Sequence, residues 1–170
     1  MVGQEAATVV LLPIKPRYAG PIMDGRKRVE FRKTAFTRTP THVVVYASSP
    51  TKKVLGYFEV KSVESTPIGG LWAKFSGVGG ITSDDFFKYY SEHAVGVALG
   101  VDKVVALRHP VELSALGLEC RPPQSFMYLG PEILGILAAD EGAPNTAPRR
   151  KGRLRGRRVK TARIATAAAG

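Results

Sequence analysis

The chain has 170 residues, 44% of them hydrophobic and 23% charged, which is enough for one closed core and excludes wholesale disorder. Its net charge of +11 is uneven: residues 1–147 carry 16 basic and 14 acidic side chains, whereas residues 148–170 carry nine basic and none acidic, so the fold itself is not strongly basic. The lone cysteine, Cys120, excludes an internal disulfide and a cysteine-built metal site and points to a reducing cytoplasm. The apolar stretch from Ala6 to Ile14 has no basic region before it, contains Pro13 and is shorter than the roughly 20 residues that span a bilayer, so neither a signal peptide nor a membrane span is expected.

In chain order, Val9 to Ile14 predicts a short strand buried on both faces. Pro16 suits a first helical turn, and Tyr18, Ala19, Ile22 and Met23 follow at helical spacing before Gly25, although Pro21 interrupts them. Strands are predicted at Val29 to Arg32, Val43 to Ala47 and Val54 to Val63, with Ser48-Ser49-Pro50 as the turn before the last. Trp72 and Phe75 fit a short helix that Gly77, Gly79 and Gly80 end. Thr82 with Asp85 has capping-box spacing for a second helix, whose Phe86, Phe87, Tyr89 and Tyr90 form an apolar face read, like Trp72 and Phe75, as core. Val95 to Leu107 is a strand bent at Gly100, Ser125 to Leu129 a short one, and Glu132 to Ala139 a terminal helix. Strands separated by turns or single short helices suggest an α+β fold, a small mixed barrel over residues 1–139, because no regular long crossover helix joins any strand pair. From Asp140 the Pro, Gly, Ala and Arg composition predicts a disordered basic tail, residues 140–170.

The densest polar segment of the folded part is Gly25-Arg26-Lys27-Arg28-Val29-Glu30-Phe31-Arg32. Strand alternation puts Arg28, Glu30 and Arg32 on one face and Val29 and Phe31 on the other. That pattern describes a solvated edge strand with an ion pair as well as it describes a site. The segment resembles the signature of the ASCH family, Gly-x-Lys-x-x-Glu-x-Arg, at all four positions: Gly25, Lys27, Glu30 and Arg32. Leu12-Pro13-Ile14-Lys15-Pro16, Tyr46-Ala47-Ser48-Ser49-Pro50, Gly56-Tyr57-Phe58-Glu59-Val60 and Pro123-Gln124-Ser125-Phe126 extend the resemblance over about Val9 to Leu129.

The resemblance implies a PUA-like β-barrel with a cleft between barrel and first helix, suited to RNA or a nucleotide-sized ligand. Lys27 would offer a mobile ammonium, Arg32 a planar fork, and Glu30 an acceptor for base amino groups or a holder of the two cations. Lys15 and Arg17 would add positive potential, Tyr18 or Tyr46 a stacking ring, and Ser48, Ser49, Gln124 and Ser125 the rim; barrel packing and turn duty explain those same rings and polar residues equally well. Replacing Lys27 or Arg32 by alanine is expected to weaken binding and leave the fold intact.

Two functions follow. In one, a non-catalytic RNA-binding protein holds its ligand in the cleft, and Arg149, Arg150, Lys151, Arg153, Arg155, Arg157 and Arg158 of the tail add phosphate contacts. In the other, the resemblance implies a hydrolase of nucleic-acid components: an acylated-cytidine amidohydrolase, with Lys27 at the position of that branch's catalytic lysine, or a ribonuclease, with Lys27 and Glu30 as acid and base. Against the amidohydrolase, Glu30 stands where the resemblance calls for a catalytic threonine, and Gly77-Val78-Gly79-Gly80 offers no acidic partner. No cofactor is expected. His42, His93 and His109 lack metal-ligand spacing, the tail lacks the bulky apolar face of a membrane-surface helix, and a monomer is expected.

Overall fold

A computed structural model describes residues 6–119 and 121–142. The elements run β1 (Val9–Ile14), α1 (Pro16–Met23), β2 (Val29–Arg32), β3 (His42–Ala47), β4 (Lys53–Pro67), α2 (Ile68–Phe75), α3 (Ser83–Tyr89), β5 (Val95–Val111), a 3-10 turn (Leu113–Leu116), β6 (Met127–Leu129) and α4 (Glu132–Gly142). Helix α4 continues three residues beyond Ala139, to Gly142, since neither Asp140 nor Glu141 breaks a helix. Cys120 and the basic tail from 143 onward lie outside the described residues.

Six strands form one mixed sheet in the order β2-β5-β4-β3-β1-β6. β1 and β3 run parallel, in register from Val9 opposite His42 to Ile14 opposite Ala47, and all other neighbours are antiparallel. The antiparallel β4–β5 ladder is longer than hydrophobic alternation predicts, because register shifts between Val54 and Gly56, Phe58 and Val60, and Val60 and Ser62 let it bend without ending. The sheet is barrel-like but not closed by main-chain bonds: among the described residues no ladder joins its edge strands, β2 and β6.

Alternation along β1 buries both its faces, as its sequence predicts. Val10, Leu12 and Ile14 meet Ala19 and Ile22 of α1, with Phe58 and Leu99, in one cluster. Val9 and Leu11 meet Ile133 and Leu137 of α4, with Leu113 and Leu116, in a second. A third cluster holds Val29 and Phe31 of β2 against Leu71, Phe86 and Tyr90. Anchored through these odd positions, β2 turns Glu30 and Arg32 the other way. Thr82 caps α3 by accepting from the Asp85 amide at 3.2 Å, a contact worth about 1 kcal/mol.

Candidate functional site

A cleft of about 820 Å³ opens where the start of α1, the end of β2, α3, the β3–β4 turn and residues 122–124 meet. Its floor is made by Lys27, Glu30 and Arg32, which are 2%, 6% and 9% exposed.

Lys27 reaches the floor through the end of α1. Asp24 caps the helix, and Gly25 follows with φ +80, a left-handed conformation that glycine adopts without a Cβ penalty. The Lys27 amide then donates to the Pro21 carbonyl at 2.9 Å, reversing the chain toward the cleft. Arg26 is held outward by Asp24, 2.6 Å away, and Arg28 is exposed, so of the three consecutive basic residues only Lys27 points in. Arg28 thus leaves the Glu30–Arg32 face that alternation assigns it, because its backbone is tied to Val78 and Val101 before the β2 ladder begins.

Lys27 Nζ donates to the Gly79 carbonyl and stands 3.4 Å from Glu30 Oε2. Glu30 Oε1 is 3.7 Å from Arg32 Nη1, which donates to the Pro13 carbonyl at 3.2 Å, while Nη2 donates to the Ser125 carbonyl. Arg32 therefore bridges β2 to β1 and to the segment entering β6, across the side of the sheet that no ladder closes. Lys27 is not the mobile ammonium that sequence predicts. Burial lowers its pKa, and the adjacent Glu30 carboxylate acts in the opposite sense. Truncating Lys27 or Arg32 leaves Glu30 paired with the other cation but orphans the carbonyls each one holds, at about 1–3 kcal/mol per buried unsatisfied group, so a cost to stability is expected where sequence alone predicts an unperturbed fold.

The glycine-rich segment supplies space rather than an acid. A Cβ on Gly79 would lie 2.6 Å from the Phe31 ring, and one on Gly80, at φ +58, would lie 3.1–3.4 Å from the Lys27 stem. The two glycines let the loop close over Lys27 and present the Gly79 carbonyl to it, a partner 52 residues away that no local spacing reveals.

Of the other sequence-predicted residues, Lys15, Arg17, Tyr18, Ser48, Ser49 and Gln124 line the cleft, as does Tyr46; Gly25 and Ser125 do not, Gly25 serving the turn and Ser125 giving its carbonyl to Arg32. Burial, followed by the Glu112 charge, raises the pKa of Tyr46. Sequence reasoning missed Lys33, Lys52, Asp85 and Lys88 as cleft residues; Tyr89, which it placed in the core, packs half-buried against the third cluster and lines the cleft as well. The Lys33 ammonium lies 4.7 Å from the centre of the Tyr89 ring. Arg17 stacks 4.6 Å over Tyr18 and reaches 3.6 Å from Asp85, joining α1 to α3 across the rim. Lys15, Lys52 and Lys88 have no ion-pair partner among the described residues. Among the described residues, seven cationic and two anionic side chains line the cleft.

The ASCH domain model matches residues 12–98. Over 127 residues the chain is 32% identical to large ribosomal subunit protein uL22 of Ureaplasma parvum serovar 3, a match covering 74% of this chain and 40% of that one. The chain thus spans about two fifths of the length of these curated relatives. It is 22% identical over 125 residues to the ASCH domain-containing ribonuclease of Zymomonas mobilis, covering 72% of this chain and 84% of that one. The crystal structure of ASCH from Zymomonas mobilis superposes with a TM-score of 0.70 at 22% identity, over 77% of this chain and 94% of that one, and supports the same fold.

Proposed function

This chain belongs to the ASCH domain family, and we propose that its cleft is a recognition site for single-stranded RNA or a nucleotide-sized part of it. The observation that carries the reading is the distribution of charge. Among the described side chains, seven of the 16 basic residues line the cleft but only two of the 11 acidic ones, leaving nine basic and nine acidic elsewhere. A positive cleft in an otherwise charge-balanced domain concentrates anionic ligands.

The rim lysines Lys15, Lys33, Lys52 and Lys88 are exposed and suit phosphate contacts. Tyr18 and Tyr89 present rings on which a base can stack, worth roughly 1–3 kcal/mol per base. The volume falls in the range of small-molecule sites, about 300–1,000 Å³, and fits one nucleotide with the neighbouring backbone on the rim. The basic run from Arg149 to Arg158 would add sequence-independent attraction.

A second reading, cleavage of the bound RNA, is favoured by one observation: the Zymomonas relative is named a ribonuclease and is matched over 84% of its length. Lys27, with its pKa lowered by burial, is the group the cleft offers as a base. Against it, the Lys27 ammonium is already engaged by the Gly79 carbonyl and Glu30, and no histidine lines the cleft. Incubating a labelled single-stranded oligoribonucleotide with the full chain, and with a Lys33→Ser/Lys88→Ser variant, separates the readings. Recognition predicts a complex with intact RNA whose log–log salt slope falls by about 0.7 for each contact removed. Shortened RNA fragments would establish cleavage, and identical salt slopes would remove the rim lysines from the interface.

A further inference from the structure

The floor of the cleft is an ordered row of hydrogen-bonding groups. Glu30 sits between two cations, with Oε2 3.4 Å from Lys27 Nζ and Oε1 3.7 Å from Arg32 Nη1. All three side chains line the cleft, so a ligand that enters it meets a donor, an acceptor and a donor in that order.

Each member keeps hydrogen-bonding capacity. Lys27 has three N–H groups; the Gly79 carbonyl takes one and Glu30 Oε2, 3.4 Å away, draws a second, which leaves one for a ligand. Arg32 has five, and the Pro13 and Ser125 carbonyls take two. The Glu30 carboxylate has about four acceptor sites, and its two cations stand farther off than the roughly 2.7–2.9 Å of a charge-assisted hydrogen bond. The row also carries one surplus positive charge in a nearly buried position, which favours a ligand edge richer in acceptors than in donors.

We infer that this row reads the imide edge of uracil. That edge presents O4, N3–H and O2, an acceptor, a donor and an acceptor, complementary to Lys27, Glu30 and Arg32. The other bases fit less well. Cytosine presents a donor and two acceptors and would set the N3 lone pair against the Glu30 carboxylate. Guanine presents an acceptor and two donors and would set its amino group against a cation. Adenine, with one donor and one acceptor, has no third group for the row. Tyr18 and Tyr89 border the cleft and suit the face of the same ring.

The inference rests on the nucleotide-recognition reading above, and its test separates the two. Full-length protein is titrated calorimetrically with uridine 5′-monophosphate, cytidine 5′-monophosphate and 3-methyluridine 5′-monophosphate, which carry the same phosphate. The tail and the rim lysines treat all three alike. Uridine monophosphate is expected to bind at least about fivefold tighter than cytidine monophosphate, the lower end for a two-point base contact, and methylation of N3 should remove that margin. In Glu30→Gln the amide can donate to N3 of cytosine, so the margin should narrow; the methylated ligand gives an answer even if this variant folds poorly. Equal, measurable affinity for the three nucleotides would overturn the uracil inference while leaving phosphate-driven nucleotide binding in place. Binding of none of them would overturn both.

Discussion

The charge arithmetic of the buried row makes a stability prediction whose order, not only its size, is testable. Lys27, Glu30 and Arg32 together hold two positive charges and one negative at no more than 9% exposure. Glu30→Gln leaves two buried cations facing each other without their shared counter-ion, and loss of such a partner costs about 3–5 kcal/mol. Lys27→Met keeps the length of the stem and leaves Glu30 and Arg32 as a balanced pair. Its main penalty is the Gly79 carbonyl, which loses its donor, worth about 1–3 kcal/mol, offset in part because an ammonium no longer has to be desolvated. Urea denaturation followed by far-ultraviolet circular dichroism measures both on a common scale. Glu30→Gln is expected to be the less stable of the two by about 2 kcal/mol. A Glu30→Gln protein as stable as Lys27→Met, or more so, would refute the reasoning, because it would mean that the carboxylate does not hold the two cations in place.

Further predictions follow from the same row and the loop above it. Because burial lowers the pKa of Lys27 in the fold, the unfolded chain keeps that proton to higher pH than the folded chain. Stability should therefore rise with pH between the lowered folded value and the ordinary lysine value near 10.4, and the rise should be absent from Lys27→Met; parallel pH profiles for the two proteins would contradict it. Gly80→Ala adds a Cβ at φ +58, tight against the Lys27 stem, and should cost about 1 kcal/mol or more. Gly20→Ala, with nothing within 4 Å of its Cβ in helix α1, should gain about 0.4–1 kcal/mol, and thermal melts that rank these two the other way would refute the assignment of Gly80 to close approach.

Much of this fold was legible because its signals are local. β1 reads as doubly buried from the aliphatic run Val9–Leu12, and Val29 and Phe31 read as the anchor of β2 from simple alternation. The ASCH signature groups Lys27, Glu30 and Arg32, and the geometry places all three in one cleft. What stayed hidden depends on distant or conformational partners. The acceptor for Lys27 is a main-chain carbonyl 52 residues on, and a carbonyl leaves no trace in residue identity. Arg32 reads as a free fork until its hydrogen bonds to Pro13 and Ser125, 19 and 93 residues away, are seen. Lys52 faces the cleft from a left-handed backbone position, φ +52, that nothing in a lysine announces. Tyr89 and Lys88 are adjacent on α3 and both reach the cleft, whereas helical periodicity assigns Tyr89 to the core with Phe86 and Tyr90. Missing main-chain pairing between β2 and β6 is likewise invisible to strand prediction, which finds strands but not the side chain that spans their gap.

The account stands or falls on where RNA touches the protein. The most direct measurement is backbone amide chemical-shift mapping of the full chain as a short single-stranded oligoribonucleotide is added. The account predicts shifts centred on Lys15, Tyr18, Arg32, Lys33, Lys52 and Lys88, together with the tail. Shifts in the tail alone, with the amides around the cleft unmoved at saturation, would contradict it.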